Sequence, residues 1–289
     1  MSRLPRAGVL GLGKAGGSLA ASLLDAGAPL VAVGSRSARR RQAFRARHAD
    51  GPRPVARLST LLSHLEDAGA EMLFLAVPDD RLADFATQLA GVPWLPSVVA
   101  HLSGARGAEA LAPVRPRAVP AAFHPLAALD GERPIPRGTL LAIDAPSAPV
   151  RRRLAALAAA LGLEAARVKP GEHARYHAGA VVSANLAVAL LDEGIRLLAD
   201  AGVEPDVARR GLARLLESTA RAAIARPLPE MLTGPVARGD AGTVARHLEV
   251  MADDPALRDL YRALSRRLCA IAALPAGKRR ALERVLGDL

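Results

Sequence analysis

Cysteine is nearly missing from the sequence. Cys269 is the only one, so within one chain neither a disulfide framework nor a cysteine-ligated metal site can form. Aromatic residues amount to 2%, which leaves few rings on which nucleic-acid bases could stack. Lysine is confined to Lys14, Lys169 and Lys278, so the formal net charge of +11 is carried by scattered arginine rather than by a lysine/arginine stripe. That balance argues against nucleic acid and favours small anionic ligands, such as a phosphorylated cofactor and a carboxylate. The first residues lack the apolar stretch of a signal peptide. The run most like a membrane span, Ala178 to Leu191, contains Ser183 and Asn185 and falls short of the roughly 20 residues a span needs. A soluble cytoplasmic protein without membrane association is the expectation.

What is present is a large apolar fraction, 51% of 289 residues, enough to bury a core and to build two domains. The stretch Ala7 to Ala20 reads as a short apolar strand, a turn spaced G-x-G-x-x-G at Gly11, Gly13 and Gly16, and the start of a helix. This geometry lays a pyrophosphate on a helix N-terminus. Gly11 permits the tight turn, Gly13 lets the backbone approach the phosphates, and Gly16 lets helix and strand pack closely. Leu12, Lys14 and Ala15 complete the expected cradle. Because Ala15 follows Lys14, the turn lacks the G-K-[ST] ending of a nucleoside-triphosphatase loop. A second apolar strand from Pro29 ends in Ser35-Arg36, followed by Arg39, Arg40 and Arg41. An NAD site places an acidic residue at that strand end to hold the ribose 2′-hydroxyl, whereas an NADP site needs the acid absent and an arginine present. Ser35 and Arg36 therefore point to NADP.

Further strands are expected over Glu71 to Val77, Ser97 to Ala100, Ala118 to Phe123, Thr139 to Asp144 and Glu164 to Val168, alternating with helices. The first of these ends in Val77-Pro78-Asp79-Asp80, which places Val77 and Pro78 beside the cofactor. Asp80 is expected to cap the helix that follows. The next two strands run into His101-Leu102-Ser103-Gly104 and His124-Pro125. Ligands of parallel sheets bind at the carboxyl ends of strands, so these residues share the predicted ligand edge. The expected fold is α/β: an N-terminal Rossmann doubly wound parallel sheet over residues 1–168 and a C-terminal all-helical domain over 169–289.

The helical half begins with a periodic segment from Glu172 to Ala201, roughly 45 Å long at about 1.5 Å per residue, and a helix of that length is expected to cross the core. His173 and His177 are four apart and share one face. They do not read as a zinc pair, since neither an H-E-x-x-H glutamate nor a third ligand accompanies them. Asn185 lies farther along the same helix. Helices follow over Pro205 to Ala225, Gly239 to Met251, Pro255 to Ala273 and Ala276 to Leu286. A loop at Leu232 to Asp240 holds Thr233, a substrate-facing candidate, and Asp240, a helix cap.

The glycine turn, Ala76 to Asp80, His101 to Gly104, Phe123-His124-Pro125, Tyr176 to Ala180, Ser183-Ala184-Asn185, and Leu232 to Pro235 with Arg238-Gly239-Asp240 together resemble Rossmann-like proteins that carry a DUF2520 C-terminal domain. The resemblance implies the architecture of 6-phosphogluconate dehydrogenase and pyrroline-5-carboxylate reductase relatives, a homodimer formed through the helices, and an NADP-dependent oxidoreductase, with ketopantoate reduction as one candidate activity. Related β-hydroxyacid dehydrogenases carry a lysine shortly before the helix asparagine. Here Val181 and Val182 stand at that place and, of the three lysines, only Lys169 at the domain junction could replace it, so a histidine becomes the better expected proton donor. On this reading His177 is the general acid and His124 its competitor, Asn185 orients the carbonyl, and Ser103 and Gly104 hold the substrate carboxylate with His101 nearby. The substrate would be a small 2-oxo acid. Two alternatives are a cyclic imine, as in pyrroline-5-carboxylate reductase, and a non-catalytic NADP-binding sensor or scaffold.

Overall fold

A computed structural model describes residues 3–287 of the chain. Seven strands form one sheet: β1 (Ala7–Leu10), β2 (Leu30–Gly34), β3 (Met72–Leu75), β4 (Val98–His101), β5 (Val119–Pro125), β6 (Leu140–Asp144) and β7 (Glu164–Arg167), in the order β2-β1-β3-β4-β5-β6-β7. The first five run parallel, and β5 pairs antiparallel with β6. The uniform strand–helix alternation expected up to Val168 therefore breaks at one point. No helix separates β5 from β6, and without a crossover the chain can only return antiparallel.

Helices α1 (Lys14–Asp25), α2 (Ala38–Arg47), α3 (Leu58–Asp67), α4 (Leu82–Ala90) and α5 (Ala148–Ala160) cover the sheet. Its two faces bury separate apolar clusters, one including Leu19, Leu23, Phe74, Phe123 and Leu154, the other Leu61, Leu65, Leu75, Leu89 and Leu111. This is the doubly wound α/β class, read from near-continuous apolar strands buried on both sides. Local signals set the helix ends. Gly27 adopts φ 64° after α1, and Ser37 and Ser147 accept backbone N–H groups at the starts of α2 and α5. Asp80 does not cap α4. A 3₁₀ turn over Asp79–Arg81 intervenes, Arg81 occupies the cap position without a side-chain bond, and Asp79 is used elsewhere, as described below.

The chain divides into two compact units, Met1–Ser183 and Ala184–Leu289. The sheet ends at Arg167, and α6 (His173–Ala180) still groups with it. The second unit contains α7 (Leu186–Asp200), α8 (Pro205–Ala225), α9 (Leu228–Met231), α10 (Gly234–Arg238), α11 (Ala241–Val250), α12 (Pro255–Ile271) and α13 (Ala276–Leu286). Its small core gathers Val236, Val244, Leu248, Cys269, Leu282 and Leu286. Asp240 caps α11 by accepting from the Thr243 N–H at 3.0 Å, and the expected loop before it folds partly into α10.

The helical stretch His173–Asp200 differs from expectation in two ways. It is continuous for 28 residues and is, among the described residues, the one helix long and apolar enough to cross a membrane by length and composition. Ser183 and Asn185 do not shorten it, because Val181–Asn185 forms a π turn within it. Nor does it cross a core within one chain: Val182, Leu186 and Val188 stand 62%, 51% and 66% exposed.

Candidate functional site

The glycine turn joins β1 to α1, where the chain leaves β1 with β2 on one side and β3 on the other. This topological switch point is where open α/β sheets bind ligands. The glycines serve distinct purposes. Gly11 has φ 103°, and a Cβ there would sit 2.1 Å from the Ala76 carbonyl oxygen; a Cβ on Gly16 would sit 1.8 Å from that of Gly11. Both positions are closed by protein atoms. Gly13 is different: its φ of −79° suits any residue, and the nearest atom to an added Cβ is the Arg40 guanidinium, 3.5 Å away. Neither strain nor crowding explains glycine at this position, while close approach by a ligand at the start of α1 does. The residues fit a bound pyrophosphate. Leu12 is buried beside Gly13, Ala15 is half-buried and Lys14 is exposed at the first turn of α1.

Next to the turn, a cavity of about 470 Å³ is lined by Gly11, Ser35, Arg36, Arg40 and Ala76 to Pro78, with Arg81 at its side. Ser35 is buried and Arg36 exposed. The intervening backbone is pinned from below by Arg41, whose Nη1 donates to the Ser35 carbonyl at 2.6 Å and the Arg36 carbonyl at 2.9 Å. With Arg41 so engaged, Arg36, Arg40 and Arg81 are the arginines that line the cavity. Arg81 was not foreseen as a partner here, since it reads in sequence as an ordinary helix-start residue.

Moving across the sheet, register places Leu75 beside His101, and His101 beside Ala122, so the loop after β4 and the end of β5 are neighbours. His101, expected at the substrate, is fully buried and has both ring nitrogens engaged. Nδ1 accepts the Ser103 N–H at 3.2 Å and Nε2 bonds the Gly107 carbonyl at 2.8 Å. It holds the loop in shape rather than facing a ligand. Ser103 donates its hydroxyl proton to Asp79 at 2.8 Å and accepts from the Ala105 N–H. A hydroxyl has one proton to give, so a substrate carboxylate would compete with Asp79 for it. The Asp79–Ser103 bond, tying the end of β3 to the loop after β4, is not legible in the sequence.

That loop presents Gly104. His124 Nε2 lies 2.8 Å, and His177 Nδ1 3.0 Å, from the point a Cβ of residue 104 would occupy. The two imidazole planes are inclined at 79°, edge to face, with centroids 6.3 Å apart. His177 Nδ1 is buried and has no hydrogen-bond partner among the described residues. Burial, the dominant cause, and the neighbouring His177 push His124 down to about 4, so it is uncharged near neutral pH. His124 Nδ1 lies 3.0 Å from the Tyr176 hydroxyl. Behind them His173, buried, approaches Asp144 at 3.8 Å. Asn185 closes the π turn and is exposed, and Thr233, also exposed, precedes α10. Both belong to the second unit. No group of three or more metal-ligating side chains forms among the described residues.

A further element supports the glycine turn from outside. The segment after β5 crosses α1, where the Gly131 N–H donates to Ser18 Oγ at 3.2 Å and the Ile135 N–H to Ser22 Oγ at 2.8 Å. A Cβ on Gly17 would strike the Gly131 carbonyl at 2.2 Å. Gly17 is thus a fourth required glycine, one that the three-glycine spacing does not mark.

The sheet order, the switch-point turn and the two helix-covered faces define a Rossmann-type α/β fold. Residues 2–125 match the Rossmann-like domain and residues 139–268 match DUF2520, a domain of unknown function. The chain thus carries a Rossmann-like domain followed by a DUF2520 domain, in the order the motifs imply. No curated protein matches it. Among solved structures, a candidate NADP oxidoreductase from Bacteroides fragilis is 21% identical with a TM-score of 0.68, covering 92% of this chain and 98% of its own. A pyrroline-5-carboxylate reductase from Coxiella burnetii is 14% identical, TM-score 0.63, covering 94% and 100%. A pyrroline carboxylate reductase from Plasmodium falciparum, solved with NADP bound, is 11% identical, TM-score 0.58, covering 93% and 98%. At these identities the likeness is one of fold.

Proposed function

We propose that the protein is an NADPH-dependent oxidoreductase that reduces a small carbonyl or imine acid. The observation that carries this reading is the meeting of His124 and His177 over Gly104, on the same sheet edge as the glycine turn and the Arg36 cavity. Along that edge the sequence of features is a 2′-phosphate-type arginine after β2, a phosphate-type turn after β1, and the imidazole of His124 at the end of β5, paired with His177 of α6 over the loop that follows β4. From β2 to β5 there are four inter-strand steps, roughly 19 Å at about 4.8 Å each, a span suited to an extended dinucleotide. The NADP-bound relative of the same fold supports the cofactor.

The bound cofactor supplies the hydride. The chain's own residues hold the acceptor and deliver a proton. His177 is the proton donor: its Nδ1 is buried without a partner, and imidazole is the side chain most often used to transfer a proton to a reacting group. His124, held uncharged, supplies a neutral N–H where negative charge develops, the role that a buried neutral imidazole fills best. The substrate is an oxo acid such as ketopantoate. The pyrroline-5-carboxylate reductases that share the fold favour a cyclic imine as the second reading. Turnover of ketopantoate against pyrroline-5-carboxylate with NADPH distinguishes the two, and a His177→Ala protein with wild-type turnover would remove His177 from the mechanism.

The functional unit is a homodimer through the helical unit. Val182, Leu186 and Val188 on the long helix and Val207, Leu215 and Ile224 on α8 are all more than half exposed, Ile224 at 88%. Apolar exposure on that scale favours association, and a second copy offering the same face would cover it isologously.

A further inference from the structure

His124 is held at one ring nitrogen and open to the site at the other. Nδ1 faces the Tyr176 hydroxyl at 3.0 Å, the rings standing edge to face at 5.6 Å. Nε2 is directed at Gly104, opposite His177. A neutral imidazole carries one N–H and one lone pair, and the group bound at Nδ1 decides which nitrogen keeps the hydrogen. A phenol is a better donor than acceptor, so the arrangement favoured at Nδ1 has the Tyr176 O–H donating to its lone pair. Burial pushes the tyrosine up to about 12, so the hydroxyl keeps its proton throughout the physiological range. The hydrogen of His124 then resides on Nε2, the nitrogen turned toward Gly104.

We propose that Tyr176 is the positioning residue of this site: its hydroxyl donates to His124 Nδ1, fixes the Nε2–H tautomer, and aims that N–H at the substrate atom that takes up negative charge. The two histidines then have separate tasks. His124 donates a hydrogen bond without giving up its proton, and His177 gives the proton. Tyr176 and His177 are consecutive on α6 while His124 belongs to β5, so one helical turn supplies both the proton donor and the group that orients its partner. The substrate part of this inference rests on the reductase reading. The tautomer part does not.

The test uses full-length protein with ¹⁵N-labelled histidine, whose ring ¹⁵N–¹H correlation spectra report the tautomer of each imidazole, His124 being assigned by its loss in His124→Gln. Wild type should show His124 as the Nε2–H form between about pH 6 and 8, and Tyr176→Phe, which keeps the ring, should show a mixture of both tautomers. With a reducible substrate, Tyr176→Phe should lower kcat about 10-fold and leave KM within about twofold, the pattern of an interaction lost only in the transition state. A wild-type Nδ1–H form overturns the proposal even if the phenylalanine variant does not fold, and so does an unchanged spectrum or an unchanged kcat in that variant. A wild type with the Nε2–H tautomer that reduces no oxo acid or imine leaves the positioning intact and overturns the reductase reading instead.

Discussion

Replacing Gly104 by alanine tests the site at its narrowest point. The backbone there tolerates the change, because Gly104 is not among the glycines of positive φ, so the effect is steric. The new methyl would lie 2.7 Å from His124 Cε1, 2.8 Å from Nε2 and 3.0 Å from His177 Nδ1. Ordinary contacts of this kind are about 3.5 Å or more, so the His124 ring must retreat by about 0.8 Å. Tyr176 bonds the same ring at Nδ1, 3.0 Å away, and that bond must bend or break as the ring moves. Overpacking of this size costs about 1–3 kcal/mol of stability, and displacement of a reacting group by about 1 Å costs on the order of 100-fold in rate. Thermal unfolding should therefore shift modestly while kcat falls about 100-fold. NADPH affinity, measured by fluorescence titration, should stay within about twofold, since Arg36 and the glycine turn are untouched. An alanine variant with wild-type kcat would refute the claim that the two imidazoles act together over Gly104.

Arg36→Ala should weaken NADPH by about 10- to 100-fold, the range for a lost charged hydrogen bond, and NADH by less than about twofold; equal losses in titration would mean that the arginine does not read the 2′-phosphate. His124, lowered to about 4 by burial and by His177, binds its proton more readily unfolded, at about 6.5. Stability is therefore lost as pH falls from about 6.5 toward 4, by up to about 3 kcal/mol from this group, and buried His101, also lowered, acts in the same direction. His177, Asp79, His101 and His173 are the charged or chargeable neighbours, and Tyr176 is the titratable group in direct contact. Urea unfolding at pH 7 and 4.5 should show a smaller acid loss in His124→Gln than in wild type, and equal losses would refute the assignment. Leu215→Glu with Ile224→Glu should convert a dimer to monomer in sedimentation velocity; a wild-type monomer, or a doubly substituted dimer, would place the association elsewhere.

Much of the sheet unit was legible because its signals are local. Apolar strands separated by helix-length segments, the glycine spacing and the acid-free end of β2 each report their own geometry. The antiparallel return of β6 was not, since direction depends on the missing crossover helix and Thr139 to Asp144 reads the same either way. Asp80 looked like a cap by its position before an apolar run, yet the chain inserted a 3₁₀ turn and used Asp79 to bond Ser103. His101 and His124 end adjacent strands and look equivalent in sequence. The structure separates them by what touches their nitrogens, information held by Gly107 and Tyr176 at distant positions. The alanine-rich middle of the long helix reads as a buried face, but composition cannot tell a face covered by the same chain from one left exposed, as Val182, Leu186 and Val188 are.

The bonds from Gly131 and Ile135 to Ser18 and Ser22 have a consequence for how the protein is made. Each joins residues 113 apart in sequence, so the outer wall of the glycine turn is absent while the ribosome has delivered only the first five strands. A nascent chain stopped at residue 125 possesses every glycine of the fingerprint but not the backbone that Gly17 was shaped to receive. N-terminal segments fold first during synthesis, and here the earliest one waits for a later one. Cofactor binding by ribosome-bound chains should accordingly begin only after residue 135 has cleared the exit tunnel.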